Sequence, residues 1–296
     1  MKRIEESSFT HPWRSSDFVI HGESQREGRT FAISGVLDTI GRPRRGRMKK
    51  VRGALESSLE TVVRDSAVGD MDSLDARFCE ELAGINALTR QVGEKQKGVF
   101  GFCLVFAVRV DRSVRIHWMG DCRAYRFSYG QVENGQMDCE AECLTRDNNK
   151  LSSKVIEVEE DEEREGLELL KNEMLSLSRQ LELYLGIGHD GHFAEKIAEQ
   201  TARLELGENE ALLLTTDGLY VPIVRYAVAN AGFKLTSDLL YLEEWFARYI
   251  ENGEYLRDYA GGAVWDALGA DLKKACIKYT RSKGRYRDDM AALFMY

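Results

Sequence analysis

The chain has 296 residues, enough for one large domain or two small ones. Hydrophobic residues make up 43% and charged residues 30%, which is ordinary for a globular protein in water. The 41 basic and 49 acidic side chains give a formal net charge of −8, which argues against a nucleic-acid binder. No stretch reaches the ~18–20 apolar residues of a membrane helix, and residues 1–6 lack the apolar segment of a signal peptide. We therefore expect a cytoplasmic protein with no membrane partner.

The cysteine pattern also indicates a reducing compartment. Six cysteines are scattered along the chain, mostly in apolar surroundings, so they are interpreted as reduced and buried. Cys139 and Cys143 form the only close pair, and a lone C-x3-C is a weak zinc signal, so a structural use is favoured. Only three prolines occur and no Gly/Ser-rich linker divides the chain, which predicts a single domain over residues 1–296.

Strands and two helices are predicted for the first half. Residues 18–20 and 30–37 favour strands, and a basic segment over residues 42–52 then leads into helical stripes at 51–63 and 74–88. Residues 99–110 form a near-continuous apolar run that is typical of a strand buried on both faces. Strands at 113–119 and 123–127 follow, with a hairpin turn at Asn134-Gly135. His117 is interpreted as an ordinary strand histidine.

The second half alternates between helix and strand. Apolar residues from 167 to 184 keep steps of three and four, which predicts a helix face against the core, with a short coiled-coil seam as the alternative. A strand at 211–216 ends at Asp217-Gly218, helices cover 239–249 and 263–279, and a strand at 291–295 closes the chain. This order suits a layered α+β domain better than regular βαβ winding.

Aspartates stand at or near the ends of these strands, and they are the most informative feature of the sequence. A single one would be read as a turn residue. Several together, with no comparable histidine or cysteine cluster, favour an all-oxygen site for Mg²⁺ or Mn²⁺. Two such ions can activate a water for in-line attack at phosphorus. The set comprises Asp17, Asp38, Asp121, Asp217, Asp288 and Asp289.

Motifs around these aspartates resemble those of the metal-dependent PP2C (PPM) protein phosphatases, in a divergent, bacterial-type form. The segment M-G-D-C-R-A-Y at 119–125 is similar to the family's V-G-D-S-R-x-Y. L-T-R-D-N at 144–148 resembles L-T-x-D-H, and L-L-L-T-T-D-G-L at 212–219 resembles L-L-L-x-S-D-G-L. R-D-D-M-A at 287–291 lies where the family has its terminal D-N-x-T, and Leu185-Gly186 resembles its L-G step.

The resemblance implies a four-layer α-β-β-α sandwich, in which two antiparallel sheets are flanked by helix pairs and hold Mn²⁺ or Mg²⁺ at one end. Carried over by residue, Asp38 bridges two ions and Thr39 offers its backbone carbonyl. Asp217 and Asp288 complete the second metal position. Asp121, together with Asp217, holds a weaker third ion.

The resemblance also implies partners for the metal ligands. Asp17 matches an acidic residue near the family's N-terminus, and Arg14 is the nearby candidate for its phosphate-binding arginine. The basic residues 42–52 are an alternative source of that charge, or simply a solvated helix start. The implied substrate is a phosphoserine or phosphothreonine protein, opposing a Ser/Thr kinase, and the implied state is a monomer.

Departures from the family pattern leave more than one function open. The family's D-G-x-G-G reads D-T-I-G-R at 38–42, so two glycines are lost, and Asp289 replaces the usual asparagine. A phosphatase that hydrolyses phosphoproteins is the first hypothesis, and a pseudophosphatase that binds a phosphoprotein or another partner is the second. A small-phosphoester hydrolase is the third, although no nucleotide-binding G-x-x-x-x-G-K-[ST] occurs. The absence of a C-x5-R motif argues against a cysteine nucleophile.

Overall fold

The structure is a computed structural model that describes residues 6–11, 17–41, 45–65, 70–95, 99–131, 137–160, 173–174, 176–187, 193–230, 236–252, 263–282 and 289–296. Three features singled out from the sequence lie outside these residues, namely Arg14, Asp288 and the Asn134-Gly135 turn.

The described residues form ten strands and eight helices. The strands are β1 (Glu6–His11), β2 (Phe18–Arg26), β3 (Arg29–Gly41), β4 (Phe100–Val110), β5 (Ser113–Met119), β6 (Arg123–Gln131), β7 (Met137–Cys143), β8 (Thr201–Glu205), β9 (Glu210–Thr215) and β10 (Met290–Met295). The helices are α1 (Arg45–Asp65), α2 (Met71–Glu94), α3 (Lys150–Glu160), α4 (Phe193–Glu199), α5 (Asp217–Asn230), α6 (Ser237–Tyr241), α7 (Glu243–Glu251) and α8 (Ala263–Ser282).

The strands form two antiparallel sheets. One has the order β1-β10-β9-β6-β7 and the other the order β2-β3-β4-β5-β8. The chain's first and last described strands pair with each other, with Glu6 opposite Met295 and His11 opposite Met290. The apolar run at 99–110 becomes β4, in which every residue is buried, because it is central in its sheet and covered on both faces.

Three apolar clusters show how the layers stack. The first lies between the two sheets and includes Val36 and Val105 from one sheet and Leu214 and Leu293 from the other. The second fills the space between the β2-β3-β4 side and helices α1, α2 and α4. The third joins the outer face of the β9-β6 side to helices α3 and α5 to α8. These three interfaces separate four layers, so the α-β-β-α sandwich is confirmed.

The helix predicted over residues 167–184 is wrong at its C-terminal end. Leu181 forms an isolated bridge with Asn149, and Leu185 forms one with Phe102. Phe102 and Leu185 exchange two backbone hydrogen bonds of 2.9 Å each. Strand β5 ends at Met119, opposite Leu104, so the edge of β4 is open at Phe102 and this segment satisfies its backbone groups. Tertiary pairing therefore overrides the helical periodicity there.

Within the described part of the chain, none of the helices combines the length and the apolar character that crossing a bilayer requires.

Candidate metal centre

Asp38 lies near the end of β3 and faces the space between the sheets. It is directly opposite Cys103 of β4, and its alternate neighbours Val36 and Ile40 both belong to the cluster between the sheets. Residues two apart on a strand share a face. The side chain of Asp38 therefore enters the inter-sheet layer at the end of the sandwich where β3 stops.

The segment that follows Asp38 remains in strand β3 as far as Gly41. Thr39 pairs with Phe102 within β3, and its φ is not positive. The left-handed angle falls instead on Gly41, with φ of 86°, where a Cβ would lie 2.1 Å from the Val99 carbonyl oxygen. The chain keeps glycine at the position that requires it, so threonine at position 39 fits its backbone without strain.

The direction of the Thr39 carbonyl follows from its pairing. Phe102 directs its N–H and C=O toward Leu185, so Phe102 and Thr39 form a pair that exchanges no hydrogen bonds across β3 and β4. The backbone groups of Thr39 therefore point away from β4, toward the side where β2 begins at Phe18. Its hydroxyl lies on the helix side, 3.8 Å from the Met48 sulfur.

Asp121 follows β5 and is held beside Asp38. Ligand atoms of Asp38, Cys103 and Asp121 all lie within 4.8 Å of one another. Asp121 is 7% exposed, and its Oδ1 is buried without a hydrogen-bond partner among the described residues. Its backbone carbonyl accepts a hydrogen bond from the Tyr220 hydroxyl.

A buried ion pair anchors the loop that carries Asp121, and the L-T-R-D-N motif was its only signal in the sequence. Arg123 is fully buried and binds Asp147 through two hydrogen bonds, Nε to Oδ1 at 2.8 Å and Nη2 to Oδ2 at 2.6 Å. The Arg123 guanidinium also donates to the Leu240 carbonyl at 2.6 Å and stacks 3.6 Å from the Tyr220 ring centroid. Such fork-like pairing fixes orientation as well as charge.

Asp217 starts α5 one residue after β9, next to the start of β10. The Thr216 N–H donates to the Ala291 carbonyl at 3.0 Å. A Cβ on Gly218 would lie 1.8 Å from the Asp289 carbonyl oxygen, so only glycine permits this approach. Asp289 is 2% exposed, and it therefore lies buried next to the start of α5.

Asp17 is buried at the start of β2. Since Phe18 pairs with Leu37 in antiparallel register, Asp17 lies beside Asp38. The four aspartates share a common neighbour, Cys122, whose pKa is raised well above its usual value by burial and then by Asp38, Asp121, Asp17 and Asp217. The fold thus brings Asp17, Asp38, Asp121 and Asp217, four of the five described aspartates of the sequence prediction, to one end of the sandwich.

The electrostatics of this end are dominated by negative charge. Burial, and then the charge of Asp147, raise the pKa of Asp121 to about 6, against the opposing effect of a hydrogen bond from Cys103. Burial and the carboxylates likewise hold the pKa of Cys103 well above its usual value. Cys103 and Cys122 are therefore neutral thiols, unsuited to nucleophilic attack and to binding a hard cation.

These residues fit a hard divalent cation. Ligand atoms of Asp38 and Asp121 converge, and among the described residues Asp121 Oδ1 is a buried acceptor without a donor. A cation bound among these oxygens would relieve both the desolvation and the mutual repulsion of the carboxylates. Oxygen-only donors suit Mn²⁺ and Mg²⁺.

Two predicted contributors are not placed by the structure. Arg14 and Asp288 lie outside the described residues. In the basic segment, the described residues belong to the first turns of α1. Of these, Arg52 is exposed, lies over the Phe18 ring at 4.8 Å and pairs with Glu56 at 2.7 Å.

Comparison with solved structures gives the same architecture over nearly the whole chain. The serine/threonine phosphatase Stp1 from Staphylococcus aureus aligns with a TM-score of 0.62 and 13% identity, covering 99% of this chain and 95% of that one. The catalytic domain of the serine/threonine phosphatase PstP, solved with two manganese ions, gives 0.55 and 16%, covering 99% and 97%. PppA, described as a key regulatory component of the T6SS in Pseudomonas aeruginosa, gives 0.56 and 16%, also covering 99% and 97%.

No protein-family model and no curated protein sequence matches the chain. At identities of 13–16% the structural likeness defines the fold. The chain has a PP2C-like fold, in a divergent form.

Proposed function

We propose that this protein hydrolyses phosphoserine and phosphothreonine in proteins, using Mn²⁺ or Mg²⁺. The observation that carries the proposal is the convergence of strand-end aspartates at one end of a PP2C-like sandwich, where Asp121 Oδ1 is a buried acceptor without a donor among the described residues. A neighbour of this fold, PstP, was solved with two manganese ions. The proposed unit is one phosphatase domain over residues 1–296, acting as a cytoplasmic monomer against a Ser/Thr kinase.

The proposed metal ligands come from different elements of the fold. Asp38 and the Thr39 carbonyl lie at the end of β3, and Asp217 lies at the start of α5 close to Asp289. Asp288, the preceding residue in the sequence, is proposed to join Asp217. Asp121, with Asp217, would hold a weaker third ion, and Asp17 would support Asp38. When bound, the ions would supply a water of lowered pKa and would stabilise charge on the phosphoryl oxygens.

Residues of the chain position the proposed metal ligands and keep a competing thiolate out of the site. Arg123 and Asp147 fix the loop of Asp121, because both of their hydrogen bonds are buried and well aligned. Asp38 presents its carboxylate from a strand rather than a flexible loop, which restricts where it can move. Arg14 is proposed to bind the phosphate, with the basic residues of α1 as the alternative. The raised pKa of Cys103 keeps a competing thiolate out of the site.

The second hypothesis, a pseudophosphatase, drew its support from the lost glycine at position 39. That support weakens because Thr39 is extended within β3 and the left-handed angle falls on Gly41. A phosphatase with turnover is therefore the proposed function. Phosphoprotein binding without hydrolysis, and hydrolysis restricted to small phosphoesters, remain as outcomes of the test.

The test is hydrolysis of p-nitrophenyl phosphate and of a phosphothreonine peptide by protein stripped with EDTA, with and without added Mn²⁺ or Mg²⁺. We expect turnover of both substrates only with metal, and near-background rates for Asp38→Asn. Asp138→Asn, an exposed aspartate on β7, is the matched control and should behave as wild type. Full activity of stripped protein would refute metal dependence, and metal-dependent peptide binding without turnover would favour the pseudophosphatase.

A further inference from the structure

A second cluster of potential metal ligands lies on the other face of the β2-β3-β4-β5-β8 sheet. Ligand atoms of Asp75, Cys79 and His117 lie within 4.8 Å of one another. Asp75 and Cys79 are one turn apart on α2, and His117 is on β5. Ile116 and Trp118 belong to the cluster between the sheets, so His117 faces outward, toward α2. This cluster is therefore separated by the sheet from Asp38 and Asp121.

The imidazole of His117 is held in one orientation. Its ring is packed 5.5 Å from the Phe78 ring, measured between centroids, and the residue is 1% exposed. Nδ1 lies 3.0 Å from the Thr201 hydroxyl oxygen, and that hydroxyl donates to the Ile197 carbonyl at 3.2 Å. Nδ1 also lies 3.4 Å from the same Ile197 carbonyl oxygen. When Nδ1–H donates to these oxygens, Nε2 carries the lone pair of the neutral ring and is available to a metal ion.

Nε2 points at Asp75 Oδ1, at 2.5 Å. In one tautomer of the neutral ring, Nε2–H donates to this carboxylate. In the tautomer with Nδ1–H, Nε2 and Asp75 Oδ1 both present lone pairs to this contact, and a metal ion between them would bind both. A metal-bound histidine usually donates its other ring N–H to a carboxylate, a backbone carbonyl or a water. The Ile197 carbonyl and the Thr201 hydroxyl lie within reach of Nδ1 for this purpose.

The third group determines which metal would fit. Cys79 offers sulfur and is half-buried on the same face of α2 as Asp75. Arg115 binds the other Asp75 oxygen at 2.8 Å and also pairs with the exposed Asp72. One sulfur, one imidazole nitrogen and one carboxylate oxygen are ligands of zinc, whereas Mg²⁺ and Mn²⁺ prefer oxygen alone.

We propose that Asp75, Cys79 and His117 bind one Zn²⁺ ion, with water in the fourth position, at a site separate from the strand-end carboxylates. Tetrahedral zinc bonds of about 2.1–2.3 Å place neighbouring ligand atoms about 3.5 Å apart. The Asp75–His117 contact must open by about 1 Å, and a change of side-chain torsion in the half-buried Asp75 accommodates this. The bound ion would tie α2 to β5.

Cobalt provides a direct readout, because Co²⁺ replaces Zn²⁺ and a cobalt–thiolate bond gives a charge-transfer band in the near ultraviolet. We expect this band in the wild-type protein and its loss on adding one equivalent of Zn²⁺ per chain. The band should persist in Asp38→Asn, which alters only the carboxylate centre. A wild-type protein without the band at saturating Co²⁺ would overturn the proposal.

Cysteine variants identify the thiolate. Cys79→Ser should abolish the band, and the matched variant Cys103→Ser should keep it, because Cys103 lies beside the carboxylates. The reverse result would assign the thiolate to the other centre and refute the proposal. His117→Gln provides a second variant if Cys79→Ser fails to fold. In the Asp38→Asn background it should lower the Zn²⁺ bound by one ion per chain, and unchanged binding would also refute the site.

Discussion

Replacing Asp38 by asparagine separates metal binding from folding, because the change removes one charge at nearly constant shape. Ligand atoms of Asp38 and Asp121 lie within 4.8 Å. At an effective dielectric constant of about 20, two unit charges at that distance repel by about 3.5 kcal/mol. Loss of a hydrogen bond to the carboxylate costs about 1 kcal/mol. The metal-free variant should therefore be more stable than the metal-free wild type, by about 2.5 kcal/mol.

With Mn²⁺ bound, the wild type should instead be the more stable of the two proteins. Free ion at one hundred times its dissociation constant stabilises the wild type by about 2.7 kcal/mol, and the variant should gain much less because it lacks the bridging ligand. The assay is thermal unfolding of both proteins in EDTA and in saturating Mn²⁺, where each kcal/mol moves the midpoint by about 2–4 °C. Asp138→Asn, on the exposed side of β7, should shift neither midpoint.

A specific pair of results would refute this reasoning. If metal-free Asp38→Asn unfolds well below the wild type, and Mn²⁺ leaves the wild-type midpoint unchanged, Asp38 is a structural residue. The aspartates at this end of the sandwich would then have no shared cation, and phosphoprotein binding without hydrolysis would be the better proposal.

Three further predictions concern backbone geometry and pH. Thr39→Ala and Thr39→Gly should keep metal-dependent turnover, since only the carbonyl is proposed as ligand, while Thr39→Pro should lose it because the ring fixes φ and removes the N–H. Gly218→Ala should lower both the melting temperature and turnover, because its Cβ would lie 1.8 Å from the Asp289 carbonyl oxygen, whereas Gly130→Ala, with open space around it, should change little. Burial raises the pKa of Asp75, but hydrogen bonds and charge from His117 and Arg115 outweigh this and lower it. The resulting stability is present above the ordinary aspartate pKa of about 3.9 and is lost as the pH falls below it. Asp75→Asn should therefore reduce the difference in melting temperature between pH 5 and pH 2, compared with the wild type. An unchanged difference would contradict a stabilising role for the Asp75 carboxylate.

Much of the fold was predictable because its signals are local. The apolar run of β4 reads as a strand buried on both faces, and the helical stripes of α1 and α2 match their buried residues. The helix predicted over residues 167–184 was wrong where Leu181 and Leu185 form bridges with residues distant in the sequence. Hydrophobic periodicity depends only on which nearby residues are apolar. It cannot indicate that a distant strand has an open edge with which the segment will pair.

The sequence predicted which aspartates belong to the candidate metal centre, but it did not predict how they are arranged. Strand-end aspartates next to glycine or a small residue are visible in the sequence, and Asp17, Asp38, Asp121 and Asp217 do come together. Cys103 was missed because its place opposite Asp38 depends on the β3–β4 register. The L-T-R-D-N motif was visible in the sequence, but its use as the anchor of Asp121 was not.

The sequence by itself determined the secondary structure of most elements, the net negative charge and the strand-end carboxylates, because those follow from local composition and spacing. Only the tertiary structure decided that Thr39 is extended while Gly41 takes the left-handed angle. It also decided that Arg123 pairs with Asp147, and that His117 meets Asp75 and Cys79. Each of these depends on contacts between residues far apart in the chain, which are fixed by strand register and by the packing of helices on sheets.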